Sequence, residues 1–253
     1  MTTLSLNKIK QLRALSNKKE REEQGLFIIE GEKVVNEAIE SGFEIVEIFR
    51  TSDIGEEVMK KITCFSSPSP VLAVVKERQY TLSELFQTDG KLKQDYLTIG
   101  NPLFLGLCGV RDPGNLGTII RIADWFGIDA IFSSEDTVEL YNPKTVQATM
   151  GAIFRKKVIY CNMEDLIGLL KKNELPVYGT FLNGKNIYSV KPEKKGLIIM
   201  GNESNGIPQY IENMINKDCK LFLPPYPSDT WGSESLNVAV STAIVCAEFR
   251  RGL

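Results

Sequence analysis

From Leu103 onward, short unbroken apolar runs alternate with amphipathic stretches, and no other feature restricts the fold of this chain as strongly. The apolar runs are residues 103–108, 130–133, 157–160, 177–180, 197–200 and 220–223, each read as a strand. The intervening pattern predicts helices over residues 116–126, 163–172, 205–216 and 235–250. Strands apolar on both faces and joined by helices require a parallel sheet covered on both sides.

The first 90 residues read as a smaller α/β unit. A basic segment leads into a β-like run at residues 25–29. Val34, Val35, Ala38 and Ile39 then share one helical face, and Gly42 ends that helix. Strands at residues 45–49 and 71–75 flank the Ser-Pro turn at 66–70. The stretch 86–101 is polar and turn-rich, and the linker is drawn at 91–101. The expected division is therefore 1–90, a linker at 91–101, and 102–253.

Composition narrows the function. Of 253 residues, 43% are apolar and 25% charged, as in a globular protein with a substantial core. No apolar run approaches bilayer length, and residues 1–10 lack the apolar core of a secretory signal, so the expected compartment is the cytoplasm, away from membranes. There is no histidine. This excludes a Ser-His-Asp triad, a Cys-His pair and most catalytic zinc sites. The five cysteines form no Cys-x-x-Cys pair and read as reduced core residues, with no metal site expected. The net charge of −2 conceals a local basic run: Lys8, Lys10, Arg13, Lys18, Lys19 and Arg21 against Glu20 alone. Such a run is either a solvated helix face or a contact for nucleic-acid phosphates.

Three loops carry candidate chemistry. The first, residues 111–121, contains Asn115, Gly117 and Arg121 where a buried strand turns into a helix, and can hold a phosphate or a ribose; an ordinary strand–helix loop with a surface arginine reads the same. The second, residues 201–208, encloses Glu203 between Gly201 and Gly206. It is neither a dinucleotide fingerprint nor a phosphate loop, and a carboxylate inside a glycine loop points to function. The third follows Leu223-Pro224 and continues through Ser233, Glu234, Ser235, Leu236 and Asn237. Leu236, Ala239, Val240, Ala243, Ile244 and Ala247 form a core-facing stripe. Ser235 reads as a helix cap, whereas Asn237, placed inside the helix start, is harder to read as one.

Together, Asn115-x-Gly117-x-x-x-Arg121, Gly201-x-Glu203-x-x-Gly206 and Leu223-Pro224 with Ser235-Leu236-Asn237-Val238 resemble the three signature motifs of SpoU-type RNA 2′-O-ribose methyltransferases of the SPOUT superfamily. The N-terminal unit, through residues 25–31 and 71–75, is similar to the RNA substrate-binding domain often fused to them. The resemblance implies a C-terminal α/β domain with a deep trefoil knot, and a homodimer. It implies S-adenosylmethionine held by Thr180, Gly201, Gly206, Leu223, Ser235 and Leu236. Asn115, Arg121, Glu203, Ser235 and Asn237 would form the reacting site, with no metal. Lys8, Lys10, Arg13, Lys18, Lys19 and Arg21 would contact RNA, ribosomal RNA first and transfer RNA second. Pro225 doubles the usual proline, residues 229–232 lengthen the loop before Ser235, and Ala239 replaces a common serine. Without histidine, Glu203 and Arg121 are the candidates for handling the proton, and Arg121 suits phosphate binding and oxyanion stabilisation better. The rival reading is a non-catalytic RNA-binding protein on the same scaffold.

Overall fold

The computed structural model describes residues 4–98, 100–226 and 235–252. The chain divides into two compact units, Met1–Arg78 with Glu139–Arg155, and Gln79–Val138 with Lys156–Leu253. The 17-residue segment from Glu139 thus packs with the first unit although both of its flanks belong to the second.

The first unit begins with helices α1 (Leu6–Ala14) and α2 (Lys18–Gln24). Strand β1 (Leu26–Glu30), α3 (Glu32–Glu40), β2 (Ile45–Arg50), α4 (Thr51–Ile54), α5 (Glu56–Ile62) and β3 (Val71–Lys76) follow. The three strands form an antiparallel sheet in the order β1-β3-β2. β3 is central and buried from Val71 to Val75, which explains its continuous apolar run. One face packs Ile28, Leu72 and Val74 against Leu12, Met59 and Ile62 of the helices. Phe27 of β1 meets the Tyr141 ring at 4.4 Å, and Phe43 meets Phe154 edge-on at 4.9 Å, so residues 139–155 complete this core.

The second unit opens with α6 (Gln94–Thr98), β4 (Leu103–Leu107), α7 (Pro113–Trp125) and β5 (Ala130–Ser133). The chain then enters the first unit to form α8 (Pro143–Thr149). It returns as β6 (Val158–Tyr160), α9 (Met163–Lys172), β7 (Val177–Asn186), β8 (Gly196–Met200), α10 (Gln209–Glu212), β9 (Lys220–Phe222) and α11 (Val238–Arg250). Its sheet has six parallel strands in the order β6-β5-β4-β8-β7-β9. Phe104, Phe132 and Ile199 pack on one face with Leu166 and Leu170 of α9. Alternate residues Leu105, Ile131 and Ile198 point to the other face and are also fully buried. There α11 packs on α7; Phe249 meets Tyr178 edge-on at 5.0 Å, and the Arg250 guanidinium caps α7 by donating to the carbonyls of Phe126 (2.9 Å) and Gly127 (2.6 Å).

The parallel α/β sheet matches the sequence reading, while several of the elements around it differ; β7 runs to Asn186 rather than ending at 180, and α6 forms within the stretch read as linker. The helix expected over 205–216 shrinks to α10, because Pro208 cannot sit within a helix and so precedes it at the cap position. The helix expected from residue 116 starts at Pro113, one residue after its Asp112 cap. The helix expected from residue 235 starts at Val238, and it buries Val238, Ala239, Thr242, Val245, Cys246 and Phe249; of the stripe expected in the core only Ala239 is buried, because apolar residues lie all round this helix and their spacing alone does not select the inward face. α8 was not anticipated, although Asn142-Pro143 is a cap followed by proline at the first helical position. Of the cysteines, Cys108 and Cys246 are core residues, while Cys64, Cys161 and Cys219 are only partly buried; all five are free thiols. Among the described residues no helix is long and apolar enough to cross a membrane.

Burial lifts the Glu77 carboxyl to about 7 from its ordinary 4.5, against the opposing pull of Arg21. The unfolded chain releases this proton near pH 4.5 and the folded chain only near 7, so rising pH over that window favours unfolding. Glu77→Gln should therefore melt with the wild type near pH 4 and above it at pH 8. With discount for solvent screening, the gain is about 1 kcal/mol, or about 3 °C for a chain of this length. Thermal melts across pH check this; equal melting temperatures at pH 8 would contradict it.

Candidate active site

β4 and β8 lie side by side in register, Leu107 opposite Met200, but their onward connections diverge. β4 leads to β5 on one side; β8 leads to β9 beyond β7. Such a switch point opens a crevice at the carboxyl ends of the strands, and the first two candidate loops leave from it.

Each loop is fixed by its own local chemistry. In the first, the Asp112 carboxylate caps α7 by accepting from the Asn115 backbone N–H at 2.8 Å. This places Asn115 in the first helical turn, half-buried. In the second, Asn202 and Gly206 exchange backbone hydrogen bonds of 3.0 and 2.9 Å, closing a tight loop with Glu203 at its tip. Gly201 must be glycine, since a Cβ there would lie 2.3 Å from the carbonyl carbon of Gly206. The Asn202 Oδ1 accepts from the N–H groups of Ser204 and Asn205, and its Nδ2 donates to the Gly109 carbonyl at 2.6 Å. In the third, Asn237 caps α11, its Oδ1 accepting from Ala239 N (2.9 Å) and Val240 N (3.3 Å). The cap role expected of Ser235 thus falls to Asn237, which stands before the helix rather than inside it. Ser235 lies two residues upstream, exposed.

The three loops meet through their side chains. Because Oδ1 of Asn237 faces the helix, its Nδ2 must point away, and it donates to Asn115 Oδ1 at 2.9 Å. The Nδ2 of Asn115 in turn donates to Glu203 Oε1 at 2.8 Å. The structure thus joins Asn115, Glu203 and Asn237 in one directed chain. Arg121 is exposed one turn beyond Gly117 on the same helix. Among the described residues neither Arg121 nor Ser235 makes a side-chain hydrogen bond or ion pair. Asn202 was not anticipated, although an asparagine directly after a buried strand and a glycine is a familiar way to close a turn. Residues 229–232, Ser233 and Glu234 lie outside the described residues.

The residues expected to hold the cofactor gather at the same end of the sheet. β7 pairs with β8 and β9, which places Thr180 beside Leu221 and near Met200, its hydroxyl 3.9 Å from that sulfur. Gly201 and Leu223 directly follow β8 and β9. Leu223 is half-buried and Leu236 is 53% exposed. Gly206 has a left-handed φ of 68° and open space where a side chain would stand. The open glycine backbone at Gly206 and the incompletely covered Leu223 and Leu236 are of the kind that suits an adenosyl group. Among the described residues no cluster of three His, Cys, Asp or Glu side chains can hold a metal ion. Burial pushes the Cys108 thiol up to about 12, so it is no nucleophile at neutral pH.

The basic run in the first unit is less uniform than its sequence. Lys10, Arg13, Lys18 and Lys19 are exposed; Lys18 and Lys19 pair along α2 with Glu22 and Glu23, and Lys8 pairs with Glu47 at 2.5 Å. Arg21 is only 1% exposed. Its guanidinium donates to the Leu15 carbonyl at 2.6 Å and pairs with Glu139. Arg21 is therefore not a surface contact for RNA, because the turn of α2 aims it into the core.

Residues 102–247 match the model of the SpoU rRNA Methylase family, and residues 7–92 match the MRM3-like substrate binding domain. The chain belongs to the SpoU rRNA methylase family. It is 31% identical, over 96% of each chain, to the 23S rRNA (guanosine(2553)-2'-O)-methyltransferase RlmP of Bacillus subtilis. It is 29% identical to the 23S rRNA (guanosine-2'-O-)-methyltransferase RlmB of Neisseria meningitidis, over 59% of this chain and 58% of that one. Its fold is similar to an AdoMet-bound rRNA methyltransferase from Sinorhizobium meliloti, with a TM-score of 0.85, 28% identity, and 100% and 98% of the two chains covered. The resemblance to SpoU-type enzymes with a fused substrate-binding part is borne out.

In this family member the Asn237 amide has two separable duties. Asn237→Asp keeps the cap acceptor but removes the donor to Asn115. Stability should stay within about 0.5 kcal/mol, since aspartate caps as well as asparagine. Methyl transfer should fall by about 10²-fold, the usual scale for a lost preorganised donor. Denaturant titration and single-turnover assays separate the two effects, and near wild-type transfer would show the link to Asn115 to be dispensable.

Proposed function

We propose that this protein transfers the methyl group of S-adenosylmethionine to a ribose 2′-hydroxyl in ribosomal RNA, with guanosine the first target to test. The directed chain Asn237–Asn115–Glu203 carries this reading, because it assembles all three signature motifs into one site. The full-length relative from Bacillus subtilis, named for the same reaction on 23S rRNA, supports the choice of RNA. The two parts act as an RNA substrate-binding region over 1–90 and a methyltransferase region over 102–253, joined at 91–101. The expected compartment remains the cytoplasm.

The cofactor supplies an electrophilic methyl on a sulfonium. Thr180, Gly201, Gly206, Leu223, Ser235 and Leu236 would hold it at the carboxyl ends of β8 and β9, with Thr180 reaching in from β7, without a metal. Arg121, exposed and charged, grips an RNA phosphate and stabilises the oxygen as charge develops. A guanidinium offers no lone pair to accept a proton, so the hydroxyl proton passes to Glu203. The Oε1 of Glu203 is occupied by Asn115, and its Oε2 has only a 3.4 Å contact from Asn202, which leaves Oε2 as the acceptor. Asn115 and Asn237 fix that carboxylate and the ribose beside it, so orientation supplies much of the rate. Lys8, Lys10, Arg13, Lys18 and Lys19 contribute salt-sensitive RNA affinity.

Two architectural features belong to the same reading. The first is the trefoil knot. In its favour, Leu221 of β9 pairs with both Thr180 and Lys185. A Cβ on Gly184 would lie 2.5 Å from the Leu221 carbonyl carbon, so the later part of β7 lies directly against β9, two strands further along the chain. The second is a homodimer through α11 and the end of α7, where Val240 and Trp125 are exposed apolar residues.

Mapping 2′-O-methylated nucleotides in ribosomal RNA from cells with and without the gene tests the substrate. A site that disappears with the gene is expected; an unchanged map, with methylation lost in transfer RNA instead, would overturn the choice of RNA. Arg121→Ala should keep cofactor affinity within about twofold and lower single-turnover transfer by about 10² to 10³. Arg121→Lys should rescue poorly, because an ammonium lacks the planar fork that grips phosphate. Near wild-type transfer by Arg121→Ala would reduce Arg121 to a surface residue.

A further inference from the structure

We propose that Ser134 and Asp136, in the loop after β5, are positioning residues for methyl transfer that act on Glu203 through Gly109 and Asn202. This rests on the role given to Glu203 above. The contacts form an unbroken path. The Ser134 hydroxyl donates to Asp136 Oδ1 at 2.5 Å, and its oxygen accepts from the Gly109 N–H at 2.9 Å. The Gly109 carbonyl accepts from Asn202 Nδ2 at 2.6 Å, and the same Nδ2 lies 3.4 Å from Glu203 Oε2. Glu203 Oε1 then receives Asn115, and Asn115 receives Asn237. The loop after β5 therefore holds the carboxylate from the side opposite to the helix cap.

Gly109 is the joint of this path. Its φ is 69°, and a Cβ on it would lie 2.8 Å from Asp136 Oδ2. The aspartate thus packs directly on the bare Cα, in space that any side chain would fill. The flanking backbone is itself anchored: Ser134 N donates to the Leu107 carbonyl at 2.9 Å, and Val138 N to the Val110 carbonyl at 2.8 Å. A residue gripped at both its N–H and its carbonyl has little freedom to shift, and Asn202 follows it. Asp136 gives the path its direction, since a carboxylate accepts only. The Ser134 proton must point to it, leaving an oxygen lone pair for Gly109. Without Asp136 the hydroxyl can turn to Thr137 Oγ1 at 3.2 Å and still accept from Gly109. Loss of Ser134 should accordingly cost more than loss of Asp136. Neither residue touches the reacting atoms.

The test uses the full chain. Ser134→Ala should lower kcat about tenfold and Asp136→Ala about threefold, with KM for RNA and cofactor affinity within about twofold; small misplacements of reacting groups have effects on this scale or larger. Ser134→Thr and Asp136→Asn, which keep the hydroxyl and an acceptor, should restore most of kcat. On a Glu203→Gln background, Ser134→Ala should lower kcat no further, because the path ends at that carboxylate. A wild-type kcat in Ser134→Ala, or a tenfold loss that persists on the Glu203→Gln background, overturns the proposal. Side-chain amide NMR of Asn202 gives a readout independent of any RNA. Ser134→Ala should speed exchange of the Asn202 amide protons, and unchanged exchange also overturns it. Failure of the unsubstituted protein to methylate ribosomal RNA would instead strike the functional reading, with the Asn202 readout still deciding this proposal.

Discussion

The amide of Asn237 is the interaction on which the catalytic region turns. One side chain satisfies the first orphan N–H groups of α11 with its oxygen and reaches Asn115 with its nitrogen. An amide free at both ends can flip at little cost; this one cannot, because flipping would aim two N–H hydrogens at helix donors. The constraint passes on. Asn115 must present its oxygen to Asn237, so only its nitrogen remains for Glu203. Individually these contacts are worth about 1 kcal/mol each, too little to hold the fold. Their contribution is orientation. A chain without histidine has built a polar site in which the amides of Asn237 and Asn115 each face an acceptor.

That arrangement depends in turn on strand order. Loops from β4 and β8 meet because the strands are neighbours although some 90 residues separate them. α11 reaches the same crevice because its far end is fastened to α7 through Arg250 and to β7 through Phe249. The sheet supplies a rigid floor, and short loops with internally satisfied turns supply the walls. Asp112 and Asn202 do structural work of the same kind as Asn237, each turning a side-chain oxygen toward backbone N–H groups.

How much of this was legible in the sequence varied with the kind of signal. The strands were plain, since a parallel strand buried on both faces leaves an unbroken apolar run such as Leu103–Leu107. The motif residues were visible as glycine and amide patterns, and the structure joins three of them. Helix starts were less legible. At α11 the expected stripe began too early and lay on the wrong face: Leu236 stands outside the helix and Val240 is exposed, while Thr242, Val245, Cys246 and Phe249 face the core. Arg21 was misplaced for a different reason: charge in a run says nothing about which way one member points, and its partner Glu139 lies 118 residues away. The roles of Ser134 and Asp136 were invisible, as no local pattern announces a contact with Gly109, 25 residues earlier.

Residues 139–155 have a consequence for how such a protein is inherited. A domain gained by end-to-end fusion can be trimmed at one junction and leave its neighbour whole. Here the catalytic sequence lends a helix and the rings of Tyr141 and Phe154 to the core of the N-terminal unit. Deleting the first 78 residues would strip those groups of their packing partners, and shuffling the N-terminal unit onto another scaffold would leave its own core unfinished. The two parts must therefore change in step, and recombination at the linker alone would produce halves that aggregate rather than modules that function.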